Sequence, residues 1–321
     1  MLLVRLPNWL GDAVMATPVV RALSRRTTVW LLGRGFLEPL FACFPGVRGF
    51  SALSEGSLGL LRTARSLRGR GFREALLLPN SLSSALLVFL AGIPERMGFS
   101  TDGRRLLLTR AVNPPAESLH QRDYYVYLLE ALGFSVPERS LTLSVPEAAR
   151  RRAGELLSGL PGPLAVLAPG AAYGPAKRWP PDRFRKLAEE LVRRGWSVAL
   201  VGGVNERDAA EGISAGLSRV HNLCGRTDVA TAAAVIERAT VFVSNDSGLM
   251  HVAAALGRPQ VAIFGSTDPR ATGPLNPRAR VVWKGLPCSP CLRRTCSRGY
   301  PCLTTVSVEE VLQAVEEIVY S

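Results

Sequence analysis

The chain has 321 residues, enough for two domains that each bury a core without disulfide staples. Hydrophobic residues at 47% and charged residues at 20% exclude a disordered or collagen-like chain. Basic residues (39) outnumber acidic ones (26) to leave a net charge of +13, and all but three of the basic residues are Arg. Arg suits bidentate phosphate contacts, although a codon bias would give the same excess.

At the N-terminus no basic segment precedes the apolar residues 2–6, and Pro7, Gly11 and Asp12 interrupt any longer apolar stretch, so no signal peptide is expected. No apolar run reaches the roughly 18 residues of a spanning helix; the longest is 85–93. The expectation is a cytoplasmic chain with mostly reduced thiols.

Short β-rich runs at 2–6, 28–32 and 75–78 alternate with helical patterns near 12–25, 56–68 and 81–91. That alternation is the signature of a parallel sheet covered by helices. Gly11 and Asp12 fall where the first strand turns into the first helix, at the sheet edge where ligands bind. Asp12 there is either a helix cap or a general base. Arg62, Arg65 and Arg68 recur every three residues and form one helix face, either solvated or turned to an anionic partner such as a membrane. A helix carrying Tyr124, Tyr127, Leu128 and Ala131 ends at Gly133.

The stretch 137–163 is rich in Pro and Gly around one basic helix, and the domain boundary is placed there, giving domains 1–150 and 151–321. Strands at 164–167, 198–201, 241–244 and 261–264 resume the alternation. The last helix, 308–319, is free to pack on either domain, the N-terminal one included.

Three segments of the second half carry polar chemistry. The loop 169–180 holds two Gly and a cationic pair, Lys177 and Arg178, just before a Pro-started helix. It reads as a metal-free diphosphate site or as a solvated basic loop. The turn 244–251 ends a buried strand and opens an Ala-rich helix, with Asp246 or Ser247 as its cap and His251 one turn in. Cys288, Cys291, Cys296 and Cys302 lie within 15 residues and are either a structural metal or redox cluster or a loop of reduced thiols. Cys43 and Cys224 read as core residues.

Several motifs are absent. No dinucleotide or Walker glycine fingerprint appears, no G-x-S-x-G, and no two Asp stand two apart, so there is no D-x-D metal–diphosphate site. A nucleic-acid binder would account for the charge, but no such motif is present and the basic residues are not confined to one patch.

Together, 7–12 (PNWLGD) with Thr17-Pro18, 78–81 (LPNS) with 91–94 (AGIP), 169–171 (PGA) with 174–180 (GPAKRWP), and 245–251 (NDSGLMH) resemble the ADP-heptose:lipopolysaccharide heptosyltransferases, glycosyltransferase family 9, most closely the branch that adds the second heptose. The resemblance spans nearly the whole chain. It implies a GT-B fold: two Rossmann-like doubly wound α/β domains facing a central cleft, the acceptor on the first and the nucleotide-sugar donor on the second. It implies an inverting, metal-independent transfer of heptose from ADP-heptose to a heptosyl-Kdo2-lipid A acceptor, by a cytoplasmic enzyme peripheral to the inner membrane.

On this basis Asp12 becomes the general base and Lys177 a diphosphate ligand. Gly170, Arg178, Glu206, Asp246, Ser247, Gly248, Met250 and His251 join Lys177 around the donor. Asn80, Ser81 and Arg96 fall on the acceptor side. A different core glycosyltransferase of the same fold, or a non-catalytic nucleotide-sugar-binding protein, are the alternatives. The cysteine stretch has no part in the catalysis so implied.

Overall fold

Residues 2–5 are buried at every position because the strand they form is covered on both faces. The computed structural model describes residues 1–320 and separates into two units, Met1–Ser144 and the chain from Val145 on. The division falls just ahead of the helix that contains residue 150.

The first unit runs β1 (Leu2–Arg5), α1 (Leu10–Met15), α2 (Thr17–Ser24), β2 (Val29–Gly33), α3 (Glu38–Phe41), β3 (Val47–Ala52), α4 (Gly59–Leu67), β4 (Glu74–Leu77), α5 (Leu82–Leu90), β5 (Glu95–Phe99), β6 (Arg110–Val112) and α6 (Gln121–Ala131). A 3₁₀ turn at Arg104–Leu107 joins β5 to β6. The sheet order is β3-β2-β1-β4-β5-β6, with every pair parallel. Leu3, Leu32, Ala75 and Leu77 meet Ala64 and Leu67 of α4 and Ala85 and Val88 of α5 in one core.

The single helix expected over 12–25 is two. Pro18 has no N–H to give, so the chain re-starts at Thr17, whose hydroxyl donates to Val14 O at 2.7 Å. Gly133 takes the left-handed conformation that ends α6.

The second unit runs α7 (Glu147–Leu156), β7 (Leu164–Ala168), α8 (Pro181–Arg193), β8 (Ser197–Leu200), α9 (Arg207–Ser214), β9 (Val220–Asn222), α10 (Val229–Glu237), β10 (Val241–Asn245), α11 (Gly248–Ala255), β11 (Gln260–Phe264), α12 (Pro269–Thr272), β12 (Ala279–Trp283), α13 (Pro301–Thr304) and α14 (Val308–Val319). Its sheet, β12-β11-β10-β7-β8-β9, repeats the order of the first. Arg150 in α7 grips Glu237 of α10 with two bonds of 2.7 and 2.8 Å. Helix α14 packs on this unit: Val311, Val315 and Ile318 share its core with Phe184 and Leu187 of α8 and Ile263 of β11. Cys224 is buried, whereas Cys43 is exposed rather than in the core.

Candidate active site

A doubly wound sheet offers its ligand crevice at the carboxyl ends of the strands where the order reverses. In the first sheet that point is β1 and β4, in the second β7 and β10. Asp12 follows β1 and Asn80-Ser81 follow β4; Gly170–Arg178 follow β7 and Asp246–His251 follow β10. Each unit therefore gathers two sequence motifs at one switch point.

In the second unit, Lys177 ends a 3₁₀ turn, and its Nζ lies 2.5 Å from Asp246 Oδ2 and 4.8 Å from the centre of the Tyr173 ring. Thr267, at the exit of β11, donates to the same Asp246 oxygen at 2.6 Å. Asp246 is buried, so its charge is held by this cation and this hydroxyl. Asn245 is the joint of the site: its Nδ2 donates to Pro169 O at 2.7 Å and its Oδ1 accepts from Trp179 N at 2.9 Å. Fully buried, it locks both ends of the Lys177 loop to β10.

Ser247 caps α11 by position only, with no side-chain cap bond, and Gly248 is the first helical residue. The hydroxyls of Ser247 and Ser266 are buried without a hydrogen-bond partner among the described residues. Leaving such a group unpaired costs about 1–3 kcal/mol, which marks the edge as a place for a polar ligand. His251 is buried in the first turn of α11.

Beside this cluster, Gly170, Arg178, Trp179, Asn205 and Glu206 line a cavity of about 290 Å³. Arg178 Nε donates to Ala171 O at 3.1 Å, and its Nη2 stands 3.9 Å from Glu206 Oε1. Glu206 accepts from Gly203 N at 2.8 Å. A Cβ on Gly170 would stand 2.4 Å from Glu206 Cγ, so only Gly permits this approach. Behind the wall, burial and the Glu206 charge push the Cys224 thiol up to about 12.

In the first unit, Asp12 is the third residue of α1, whose cap position is Trp9, so Asp12 is not the cap. Its carboxylate faces α6, where Tyr125 is held protonated by burial first and by the Asp12 charge second. Arg5 is buried, donates to Leu6 O and Asn8 Oδ1, and is lowered to about 10 by burial and by Arg34. Asn80 donates to the Tyr124 hydroxyl at 2.9 Å, and Ser81 is the N-cap of α5. Arg104, fully buried, donates to Phe99 O at 2.8 Å, to Ser84 Oγ at 2.9 Å and to Pro79 O; burial holds its pKa at about 10.

Two expected site residues lie elsewhere. Arg96 is the second residue of β5, at the opposite sheet edge from Asn80 and Ser81, and donates to the carbonyls of Leu107, Ile93 and Pro94. Met250 is fully buried and packs on Ala262 and Phe264, a core residue rather than a pocket wall.

Cys288, Cys291, Cys296 and Cys302 line one cavity of about 400 Å³ with Ala176 and Ser266. Among the described residues no three His, Cys, Asp or Glu form a group that could hold a metal ion. Its irregular path, with Leu292 and Tyr300 at positive φ, leaves Cys291 exposed and Cys302 buried. Backbone N–H groups of Arg298 and Tyr300 lower the Cys296 thiol, and burial raises that of Cys302. The loop braces the site: Cys291 N and Leu292 N donate to Ser266 O at 3.0 and 2.8 Å, and Ala176 N donates to Arg294 O at 3.1 Å.

Known proteins are similar to this chain in sequence and in fold. A family model described as glycosyltransferase family 9 (heptosyltransferase) matches residues 60–300. The lipopolysaccharide heptosyltransferase 2 of Salmonella typhimurium is 34% identical over 301 residues, covering 86% of this chain and 86% of that protein. The structure of Escherichia coli ADP-heptose LPS heptosyltransferase II matches with a TM-score of 0.87 at 30% identity, over 99% of this chain and 98% of the other. A glycosyl transferase family 9 structure from Veillonella parvula shares the fold, with a TM-score of 0.87 at 23% identity over 99% and 97% of the two chains. The paired parallel sheets are those of these GT-B structures.

Proposed function

The chain belongs to glycosyltransferase family 9, and we propose that it moves L-glycero-D-manno-heptose from ADP-heptose to the heptose of the lipopolysaccharide inner core, with inversion and without a divalent metal. The observation that carries this reading is the half-buried Lys177 held by buried Asp246 and Thr267, beside unpartnered hydroxyls at the switch point of the second sheet.

An ammonium has three N–H bonds. One is committed to Asp246, which fixes Nζ and leaves the others for diphosphate oxygens of the donor. Arg178 and the amides of Ser247 and Gly248 add donors where charge grows on the leaving group, the Asp246 amide being taken by Ile263 O at 3.0 Å. With no D-x-D pair in the chain, these groups take the part that a metal has in other glycosyltransferases. Gly170 and Glu206 wall the nucleotide side.

Asp12 accepts the proton of the acceptor hydroxyl as that oxygen bonds to the anomeric carbon of the heptose. The bond from that carbon to the diphosphate breaks, and its electron pair leaves with ADP from the opposite face. Asn80 and Ser81 border the acceptor. Because the acceptor is anchored in lipid A, the enzyme works as a peripheral cytoplasmic protein at the inner face of the inner membrane.

The test is ADP release from ADP-heptose in EDTA, with and without a heptosyl-Kdo2-lipid A acceptor. Acceptor-dependent release is expected. Release that requires Mg²⁺ would overturn metal independence, and tight ADP-heptose binding without release would turn the reading to another acceptor.

A further inference from the structure

Helices α4 and α5 lie side by side over the first sheet, with the Arg104–Leu107 turn against α5. Their inner sides are core, yet their outer sides are not the polar surface expected of a solvated layer. Among the described residues, five of the twelve exposed large hydrophobic side chains stand on this one layer: Leu58, Leu61, Leu82, Phe89 and Leu106. Leu106 is 94% exposed, at the tip of its turn.

Guanidiniums alternate with these side chains. Arg62, Arg65, Arg68 and Arg105 are exposed on the same layer, and residues 53–112 hold nine Arg against four acids. Two of those acids are engaged locally: Glu95 pairs with Arg110 at 3.2 Å, and Asp102 accepts from Leu82 N at 2.7 Å. The layer also carries the acceptor loop, since Ser81 is the cap of α5.

We propose that this face seats the protein on an anionic lipid surface, its leucines and Phe89 entering the headgroup–acyl boundary while the arginines meet lipid phosphates. The proposal rests on the lipid-anchored acceptor of the proposed reaction and assigns the surface that would meet the lipid. A second copy is a poor occupant, because it would set the same excess of Arg against itself. A rigid protein partner calls for a groove or a continuous apolar seam, whereas here single apolar side chains stand apart between cations on helix outer sides. A fluid anionic surface accepts that pattern. No helix among the described residues is long and apolar enough to cross a membrane, so such contact is interfacial.

The experiment sediments the full chain with vesicles of phosphatidylcholine alone or with about one third phosphatidylglycerol, at low and high salt. Binding to the mixed vesicles, released by salt, is expected. Arg62→Gln with Arg65→Gln should lower partitioning about fivefold per charge. Leu106→Asp should lower it about tenfold or more. The control pair Arg151→Gln with Arg193→Gln removes the same charge from the second unit and should stay within about twofold of wild type.

Every variant is also assayed on a deacylated, water-soluble acceptor, where wild-type transfer is expected. Vesicle binding without any transfer by the wild type would count against the proposed reaction and leave this face standing. Equal binding to neutral and anionic vesicles, no binding at all, or an equal loss in the control pair would overturn the face. A wild-type dimer that Leu106→Asp dissolves, with no vesicle binding, would assign the surface to a second copy instead.

Discussion

The two switch points share one sheet order and are wired in opposite ways. In the second unit, charged and amide side chains bind one another: Lys177 to Asp246, Thr267 to Asp246, and Asn245 to the backbone on both ends of the Lys177 loop. In the first unit, buried cations bind backbone carbonyls and neutral side-chain oxygens rather than a carboxylate. Arg104 holds the carbonyls of Phe99 and Pro79, and Arg5 holds that of Leu6. A diphosphate is small and always charged, so a pre-set ammonium suits it. The acceptor proposed for the first unit is a large lipid-linked sugar that reacts through a neutral hydroxyl, so loop shape would matter more there. The first site therefore has its buried cations committed to the protein's own oxygens, and the second has its charge arranged before any ligand comes.

The largest effect that can break this contrast is at Asp12. Asp12→Asn should lower turnover by about 10²–10⁴-fold, the usual range for a lost general base, with ADP-heptose affinity unchanged by calorimetry. Turnover close to wild type would take Asp12 out of the reaction. Next comes Lys177→Ala, with an expected loss of about 10²–10³-fold in turnover and weaker ADP-heptose binding. That variant also leaves the buried Asp246 carboxylate without its cation. An unchanged rate and affinity would show that the pair is structural only.

Asn245→Ala sharpens the comparison through stability rather than chemistry. It strips partners from Pro169 O and Trp179 N in a fully buried place, and should cost about 3 kcal/mol in denaturant unfolding. Smaller again is Gly170→Ala, whose Cβ would displace Glu206; donor affinity should fall about tenfold with the fold intact. Donor affinity equal to wild type would show that Glu206 has room to move and does not shape the pocket.

How far the sequence reaches depends on burial. Strands covered on both faces, such as β1, β7 and β10, are continuous apolar runs and are legible within one residue. β3, β6, β9 and β12 are short or half-exposed and are defined by pairing with a neighbour, which no local pattern reports. The site obeys the same rule. Chain direction takes Asp12, Lys177 and Asp246 to the carboxyl edges once their strands are recognised. Arg96 stays misplaced because β5 is not recognised; its first residues lie at the amino edge. Thr267 and Asn245 escape notice as site residues because their role is a tertiary bond to another strand's loop. Met250 is apolar on an Ala-rich helix, and there the plain core reading wins.

The weakest probe asks whether the wall of the second site is dry. The Cys224 thiol is raised to about 12 by burial and by Glu206, while in an unfolded chain a thiol titrates near 8.5. Between those values the unfolded chain gives up a proton that the folded chain keeps. The folded state then binds more protons, so its stability is intact below the unfolded value and falls as pH rises toward the folded one. Near pH 9.5 the loss from this one group should be about 1 kcal/mol. Cys224→Ala carries a pH-independent cost for the lost sulfur, so its deficit against wild type should shrink by about that amount between pH 7.5 and 9.5. A deficit constant across that range would mean that water reaches the thiol. Glu206 would then be solvated from behind, and the pre-set wiring of the second unit would stop at Asp246.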